Sequence, residues 1–354
     1  MTRGRRAPYF RRMLSLLRPF RPVLYQGAGR RSGYFEGWYF KQATRGARDP
    51  NGGARTVSFI PGISRASGGD RAFVQMIDGA SGSTRFFPFA ADEFSAADEP
   101  FGVRVGGNRF SLSGIHVDLE DDEGTVRADL EYGPIVAPDR SLASPGVMGP
   151  YSFIPFMECY HGVASLDHRT DGTITIDGNT RGKGSETIRF EDGRGYIEKD
   201  WGRSMPSSWI WVQSNSFAGT SGPASLFFSL ARIPWLGSHF NGFISIVYAG
   251  GVQYRFAQYT GAKVDLLEID GPTIRGLVGD ARYKLERLIH RNREGSLAAP
   301  VDGAMDRRIA ESADSQVRVL LKRRLDDSLL FDSSSAASGV EVVGDVSTLI
   351  PGRR

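Results

Sequence analysis

Short runs in which apolar and polar residues alternate dominate the chain and predict β-strands. The runs TVSFIPGI at 56–63, RAFVQMID at 71–78 and TVRADLEY at 125–132 are typical, and Gly, Asp, Ser or Pro clusters separate such runs. No segment before about residue 300 has a helical period, and the only helix that the pattern predicts spans 305–313. The pattern therefore predicts an all-β fold with antiparallel strands.

The number of these runs predicts how the chain divides. There are about 18 of them, and two barrels of roughly eight to ten strands each would hide the edges that open sheets expose. We therefore expect an N-terminal β-barrel over residues 32–188 and a C-terminal β-barrel over residues 189–354. The arginine-rich residues 1–31 are expected to form a flexible basic arm.

The run WIWVQSNSF at 209–217 carries wide side chains on one face. In a strand, that face presents Trp209, Trp211, Gln213 and Asn215. Indole rings beside amide groups are typical of a wall that contacts a ligand, so these residues are predicted to bind a substrate. The alternative is a core strand in which the indoles pack inside and the amides face water.

The run YFEGWYFK at 34–41 places a carboxyl group among aromatic residues. On one face of this strand, Glu36 lies between Tyr34 and Trp38, and burial there would raise its pKa and keep the acid neutral. A neutral acid can donate a proton, so Glu36 is the first candidate general acid. Trp38 and Tyr39 are candidate ligand contacts. The alternative leaves Glu36 in water or paired with a basic neighbour.

The segment SPGVMGPYSFIPFMECYHG at 144–162 interrupts the strand rhythm with prolines and glycines. A long apolar loop is seldom left in water, so we expect it to cross the end of a barrel or lie between two β units. Its last residues, Glu158, Tyr160 and His161, would then lie near a cavity mouth. Alternatively, His161 and Tyr160 are satisfied structural groups.

The motif EKDWG at 198–202 holds two further candidates. Asp200 is the second candidate acid, although the neighbouring Lys199 would lower its pKa. Trp201 could offer a ring to a ligand. The alternative is a structural salt bridge that closes a turn before Pro206.

Composition and charge narrow the function classes. Hydrophobic residues make up 40% of the chain and charged residues 24%, which describes a soluble chain with a large core. The net charge is +4, but nine arginines precede Glu36, the first acidic residue, so the remaining body is acidic. We therefore predict no nucleic-acid partner, whereas the arm could contact an anionic membrane surface or stay solvated.

Cysteine usage and motifs exclude several chemistries. The one cysteine, Cys159, cannot form an intrachain disulfide and fits a reducing compartment. No apolar run suits a signal peptide or a membrane span, so we expect a cytoplasmic location, with peripheral membrane contact through the arm as an open alternative. The chain has no phosphate loop and no HExxH, CxxC or GxSxG motif, and we expect neither a cofactor nor a metal.

Four segments together resemble the tocopherol cyclase family, and the resemblance runs from about residue 32 to about residue 350. They are FEGWYF at 35–40, the loop at 144–162, EKDWG at 198–202 and SWIWVQSN at 208–215. FEGWYF is also similar to a wider group of double-lipocalin-like proteins that includes carotenoid hydratases. The resemblance implies two lipocalin-like barrels and a cofactor-free cyclase, which protonates a prenyl double bond and closes a chromanol ring on a phenol.

For such a cyclase the chain offers rings, an acid and amide groups. The rings that could stabilise a cation are those of Trp38, Trp201, Trp209 and Trp211. Glu36 or Asp200 would give the proton. Gln213 or Asn215 would bind the oxygen of a prenylated phenol or quinol, a hydrophobic small-molecule partner. Two alternatives stay open, a non-catalytic lipocalin-like binder of a prenyl lipid and a carotenoid hydratase-like enzyme.

Overall fold

The molecule consists almost entirely of antiparallel β-strands. The computed structural model describes residues 18–45, 54–178, 184–220 and 222–350. These residues form 21 strands in two sheets, joined by turns and by short 3-10 helices. The predicted all-β class and the two lipocalin-like barrels are confirmed.

The first barrel is an 11-stranded sheet. Its strands are β1 Tyr34–Ala43, β2 Thr56–Ala66, β3 Gly69–Asp78, β4 Thr84–Ala90, β5 Phe94–Asp98, β6 Phe101–Val105, β7 Asn108–Ser111, β8 Gly114–Asp121, β9 Gly124–Tyr132, β10 Cys159–Gly178 and β11 Ser185–Gly202. Their order is β4-β3-β2-β1-β11-β10-β9-β8-β7-β6-β5. The strands β1 and β11, distant in sequence, are therefore paired neighbours, and Glu36 lies opposite Trp201.

The second barrel is a 10-stranded sheet. Its strands are β12 Trp209–Ser214, β13 Ser225–Trp235, β14 Ser238–Ala249, β15 Val252–Ala257, β16 Lys263–Asp270, β17 Thr273–Gly279, β18 Tyr283–His290, β19 Gly295–Val301, β20 Ala304–Arg323 and β21 Leu329–Val343. The order is β15-β14-β13-β12-β21-β20-β18-β17-β16, with β19 paired to β20. The tryptophan-rich strand β12 thus pairs with β13 and β21.

Alternation along the strands produces three apolar clusters. In β9, Val126, Ala128 and Leu130 point into the first barrel, and the residues between them are more exposed. A second cluster fills the other barrel and includes Val212 and Phe228. The third cluster lies between the barrels and includes Trp209, Trp211 and Leu166. A strand such as β12 therefore has one face in a barrel core and the other in the space between barrels.

The chain passes to the second sheet later than the predicted division at residues 188 and 189. Strand β11 continues to Gly202 and pairs with both β1 and β10, so residues 189–202 belong to the first sheet. Gly193 and Gly195 permit close packing within this strand. A Cβ on Gly195 would lie 2.1 Å from Nε2 of His168. The first sheet thus ends between Gly202 and Trp209.

The helix predicted over 305–313 is wrong, because those residues lie in strand β20. Glu311 pairs there with Gly295 of β19 and with Glu341 of β21. Pairing on both sides outweighs the weak helical preference of the segment. Among the described residues, no helix is long and apolar enough to cross a membrane.

Part of the predicted flexible arm packs on the first barrel. Leu24 belongs to the first core, and the backbone oxygen of Val23 accepts a 2.7 Å hydrogen bond from Nε1 of Trp38. Residues 18–31 are therefore held by the barrel rather than free. The membrane prediction rests on the arginines of the arm and on Leu14, Leu16, Leu17 and Phe20; of these apolar residues only Phe20 is described, and its ring contacts that of Phe153.

Candidate active site

A cavity of about 170 Å³ lies between the two barrels. Strands β1, β10 and β11 line one side, and β12, β13 and β21 line the other. The loop before β10 closes part of the wall with Met148, Tyr151 and Met157. The ionisable side chains His161, Glu198, Asp200 and Glu341 are part of the lining. A mostly apolar space with a few convergent polar groups is typical of a small-molecule site.

The two tryptophans of β12 line the cavity, as their shared face predicts. Trp209 and Trp211 are almost fully buried from bulk solvent, while Ile210 between them points into the second barrel. The Tyr39 ring meets Trp211 edge to face, with 5.4 Å between the ring centroids. Tyr39 also lines the cavity, so these three rings form one aromatic wall.

His161 lies between two carboxyl groups of β11. Its Nδ1 is 2.7 Å from Oδ1 of Asp200, and its Nε2 is 3.2 Å from Oε2 of Glu198. Glu198 is held further by the hydroxyl of Tyr196, at 2.6 Å, and by Nε1 of Trp211, at 3.0 Å. Alternation along β11 places Glu198 and Asp200 on the same face, which lines the cavity.

The two carboxyl groups favour the cationic form of His161. Burial alone would lower the pKa of His161, but the charges of Asp200 and Glu198 outweigh burial and raise the pKa well above its usual value. The imidazolium ring also stacks on Phe227, with 5.2 Å between centroids. The cluster therefore presents a positive ring bracketed by carboxylates at the cavity wall.

Glu341 faces the cavity from the second barrel. Strand pairing places it opposite Trp211 and Glu311, and one carboxyl oxygen accepts a hydrogen bond from Nε1 of Trp209. Burial raises the pKa of Glu341 well above its usual range, and the nearby acid Glu311 raises it further. These surroundings favour the neutral form of Glu341, which lies beside two indole rings.

A second polar cluster lies behind the aromatic wall. The hydroxyl of Tyr39 donates to Glu311, whose pKa burial raises to about 7. The buried Lys41 donates to Oε1 of Gln213 at 2.6 Å and to the backbone oxygen of Ala337 at 2.7 Å. These contacts cross from the first barrel to the second and fix the position of Tyr39.

Glu36 lies away from the cavity, on the face of β1 that points into the first barrel. Both of its carboxyl oxygens accept from the backbone N–H of Gln26, at 2.8 and 3.0 Å, and one accepts from Tyr34. Lys199 forms a buried ion pair with it. The expectation of apolar surroundings for Glu36 is therefore corrected. The contacts match the alternative, in which Glu36 pairs with a basic neighbour.

Other predicted contacts also lie outside the cavity lining. Trp38 is in the first core, on the same face as Glu36. Trp201 stacks on Tyr160, with 5.4 Å between centroids and 9° between planes, and its ring lies 4.5 Å from Nζ of Lys199. These rings hold the ion pair and the loop instead of facing the cavity.

The predicted amide contacts have structural partners. Asn215 donates to the backbone oxygen of Gly195 at 2.7 Å and to Asp167 at 3.2 Å, which ties the second barrel to the first. Gln213 accepts from Lys41, as described above. Glu158 is half-buried beside the cavity loop and is not among its lining residues. Of the predicted residues, the cavity thus gathers Tyr39, His161, Asp200, Trp209 and Trp211.

Sequence reasoning missed two carboxyl groups of the site, Glu198 and Glu341. Glu341 is the lone acid in the apolar run GVEVV at 339–343, and an acid in a buried strand is a usable signal. Phe35, which shares a face of β1 with Tyr39, also lines the cavity and was missed. A sequence shows that β1 has two apolar faces but not which barrel or cavity each one meets.

The His161 cluster also has a donor set that could hold a divalent metal ion. One ligand atom each from His161, Glu198 and Asp200 lie within 4.8 Å of one another. Metal binding requires a neutral imidazole, whereas the neighbouring carboxylates favour the protonated ring. A metal ion bound there would therefore have to displace the proton of His161.

Fold, motifs and sequence comparison define the family. The family described as tocopherol cyclase-like matches residues 114–344, well over half of the chain, and the protein belongs to this family. "Tocopherol cyclase, chloroplastic" from Zea mays is 32% identical over 95 residues, which cover 27% of this chain and 18% of that protein. "Probable tocopherol cyclase, chloroplastic" from Oryza sativa subsp. japonica is 31% identical over 104 residues, or 29% of this chain and 20% of that protein. The matched segments thus span about a fifth of these relatives.

The fold has a distant counterpart among solved structures. The crystal structure of CghA with Sch210972 aligns with a TM-score of 0.53 and 12% sequence identity, covering 88% of this chain and 89% of that chain. At this identity the likeness concerns the fold alone.

Proposed function

We propose that the cavity between the barrels is the active site of an acid-promoted cyclase, which converts a prenylated phenol or quinol into a chromanol-type ring. One observation carries the proposal: a buried acid, Glu341, whose surroundings raise its pKa, lines the same cavity as two indole rings and a carboxylate cluster. The family to which the chain belongs supports the reaction class. The substrate is a hydrophobic small molecule, in keeping with the mostly apolar wall.

Glu341 is the proton donor in this proposal. Its O–H bond breaks as a new C–H bond forms on the less substituted carbon of the prenyl double bond, which leaves a tertiary cation. A general acid of this kind contributes a rate factor of about 10² to 10⁴. The assignment replaces Glu36, which is paired with Lys199 away from the cavity.

The aromatic wall stabilises the cation. The rings of Trp209 and Trp211 face the cavity, and the negative face of an indole attracts a cation by about 0.5–2 kcal/mol. Tyr39 adds a third ring, which its hydroxyl bond to Glu311 holds in place. A dry aromatic surface also limits capture of the cation by water.

Asp200 and His161 act on the phenol. The phenol oxygen attacks the tertiary cation to form the C–O bond, and its proton passes to the carboxylate of Asp200. The imidazolium of His161, 2.7 Å from Asp200, orients that carboxylate. Return of a proton to Glu341 completes the cycle, so the product is an isomer of the substrate.

A panel of prenyl phenols and prenyl hydroquinones tests the proposal. The purified protein is incubated with each compound, and products are separated and analysed by mass spectrometry, with heat-denatured protein as control. The proposal expects a product of unchanged mass that contains a chromanol ring. A product heavier by one water would establish a hydratase, and recovery of bound, unchanged ligand from the whole panel would establish a binder.

A further inference from the structure

The interior of the second barrel contains a positive charge that the proposed cyclase does not use. Along β18, Leu285, Arg287 and Ile289 are buried and alternate with exposed residues. Leu285 and Ile289 belong to the core of the second barrel, so Arg287 points into that same core. It is 4% exposed and is absent from the lining of the cavity between the barrels.

Arg287 has an aromatic neighbour and no described anion. Its guanidinium lies 3.7 Å from the centroid of the Phe228 ring. Within the described part of the chain, no acceptor bonds Nε or Nη1, and no carboxylate pairs with the group. Burial lowers the pKa of Arg287 to about 9, so it stays protonated at neutral pH. A buried, protonated guanidinium without acceptors is costly unless an anion joins it.

The sheet makes room for this side chain. Gly276 of β17 is paired with Arg287, and a Cβ on Gly276 would lie 2.7 Å from Nη2. Glycine weakens a strand interior, so its presence there fits a close approach by a neighbouring group. The space for the guanidinium is therefore part of the sheet itself.

Two hydroxyl groups on the inner face also lack partners. Ser214 and Ser338 are fully buried, and neither Oγ has a hydrogen-bond partner among the described residues. Ser214 follows Val212 on the inner face of β12, and Val212 pairs with Phe228. The diagonal position of Ser214 places it roughly 7–8 Å from Phe228, on the wall that Arg287 faces. Hydroxyl donors near a guanidinium suit an anion with oxygen atoms.

We propose that the second barrel contains an internal binding site for a small organic carboxylate, with Arg287 as its counter-ion. One positive charge balances one carboxylate, whereas a phosphate dianion would leave a net negative charge in an apolar core. The surrounding Leu285, Ile289 and Phe228 suit the apolar part of such an acid. The carboxylate is either a free short acid or the head group of a fatty chain. This site is separate from the proposed active site.

Thermal unfolding with and without carboxylates tests the site. Tm is measured at pH 7 and constant ionic strength with sodium acetate, submicellar sodium decanoate, sodium chloride or decanol. A ligand that binds only the folded state raises Tm in a saturable way. We expect this rise with a carboxylate. If acetate and decanoate raise Tm equally, the ligand is a free short acid. If decanoate raises Tm much more than acetate, the ligand is the head group of a fatty chain.

Two matched variants locate the effect. Arg287→Met removes the charge and keeps apolar bulk, and it should abolish the carboxylate-dependent rise in Tm. Arg275→Met, at an exposed position on the neighbouring strand β17, should keep it. The proposal is overturned if neither carboxylate raises Tm, if Arg287→Met shows the same rise, or if chloride or decanol matches the carboxylates.

Two milder variants keep the test decisive if Arg287→Met does not fold. Gly276→Ala crowds Nη2, and Ser214→Ala removes an unpartnered hydroxyl, while both retain Arg287. We expect each to weaken decanoate binding by about 3- to 10-fold in isothermal titration, in line with the loss of one hydrogen bond. Wild-type affinity in both variants would contradict the site.

Discussion

Two buried glutamates, Glu36 and Glu341, have opposite surroundings. Glu36 accepts from a backbone N–H and a tyrosine hydroxyl and pairs with Lys199. Glu341 accepts one indole N–H and has Glu311 as an acidic neighbour, and burial raises its pKa. Glu36 therefore has hydrogen-bond donors and a cation that suit a carboxylate, whereas the surroundings of Glu341 favour the neutral acid.

The difference shows that burial alone does not make a carboxyl group a proton donor. Hydrogen-bond donors and nearby cations stabilise the ionised carboxylate, whereas burial near other acidic groups favours the protonated form. Glu36 holds residues 18–31 on the first barrel through Gln26 and Lys199, which itself donates to the backbone oxygen of Pro22. Glu341 faces a cavity, where a neutral acid can reach a ligand.

The largest effect on stability is expected from Glu36→Gln. The change leaves Lys199 buried without its counter-ion, and breaking a buried ion pair in this way costs about 3–5 kcal/mol. Urea denaturation measures the free energy of unfolding. The double variant Glu36→Gln with Lys199→Met should recover part of the loss, because it removes the uncompensated charge. A loss below about 1 kcal/mol for Glu36→Gln would contradict the account of this pair.

A matched control is the exposed pair of Arg203 and Asp302, whose side chains are 67% and 61% exposed. Asp302→Asn should change the free energy of unfolding by less than about 1 kcal/mol. Equal losses in Asp302→Asn and Glu36→Gln would show that burial does not distinguish the two pairs.

The two histidines of β10 extend the comparison to bases. His168 is buried and lies within hydrogen-bond distance of Ser165, at 2.8 Å, and burial lowers its pKa to about 3. In the unfolded chain the imidazole of His168 is protonated near pH 6.5, whereas in the folded chain it is protonated only near pH 3. His168 therefore lowers the free energy of unfolding as the pH drops from about 6.5 to about 3. His161 acts oppositely, because its raised pKa adds stability below pH 6.5 that is lost as pH rises through the folded value.

His168→Asn should remove the part of the stability loss at low pH that His168 causes. Unfolding free energies at pH 4, 5, 6 and 7 are compared for the wild type and the variant. The difference between them should change by up to about 1.4 kcal/mol per pH unit. Parallel pH profiles would show that His168 does not titrate in this way.

Asp200→Asn weakens the cationic state of His161. Loss of this carboxylate should lower the pKa of His161, which NMR titration of the imidazole measures, and cost about 1–3 kcal/mol of stability. Glu198 remains 3.2 Å from Nε2, so part of the upward pKa shift should persist. An unchanged pKa would mean that the two groups are not paired in solution.

Trp211→Phe is expected to have the smallest effect. It keeps a ring in the wall and removes one of the hydrogen bonds to Glu198, whose contacts with Tyr196 and His161 remain. The cost should be about 0.5–1.5 kcal/mol in unfolding free energy. The comparison variant Trp235→Phe, at a half-exposed position, should stay within about 0.5 kcal/mol of the wild type.

Alternation in the sequence predicts the fold class and one wall of the site. The period of two assigns Trp209 and Trp211 to one face and Ile210 to the other, and the structure has this arrangement. In β1 both faces are apolar. Alternation therefore groups Glu36 and Trp38 on one face but does not show which face of β1 lines the cavity. The neighbours that distinguish the surroundings of the two glutamates are Lys199 for Glu36 and Glu311 for Glu341. Both neighbours come from other strands. Such long-range pairing is not encoded in a local pattern.

The most direct test compares turnover of Glu341→Gln and Glu36→Gln on one substrate that the wild type cyclises. Rates are expressed per folded molecule, at a temperature where both variants are folded, and ligand affinity is measured separately. We predict that Glu341→Gln loses about 10²-fold or more in turnover with nearly unchanged binding, while Glu36→Gln stays near the wild-type rate. Retained turnover in Glu341→Gln together with its loss in Glu36→Gln would contradict the account and return the proton donor to Glu36.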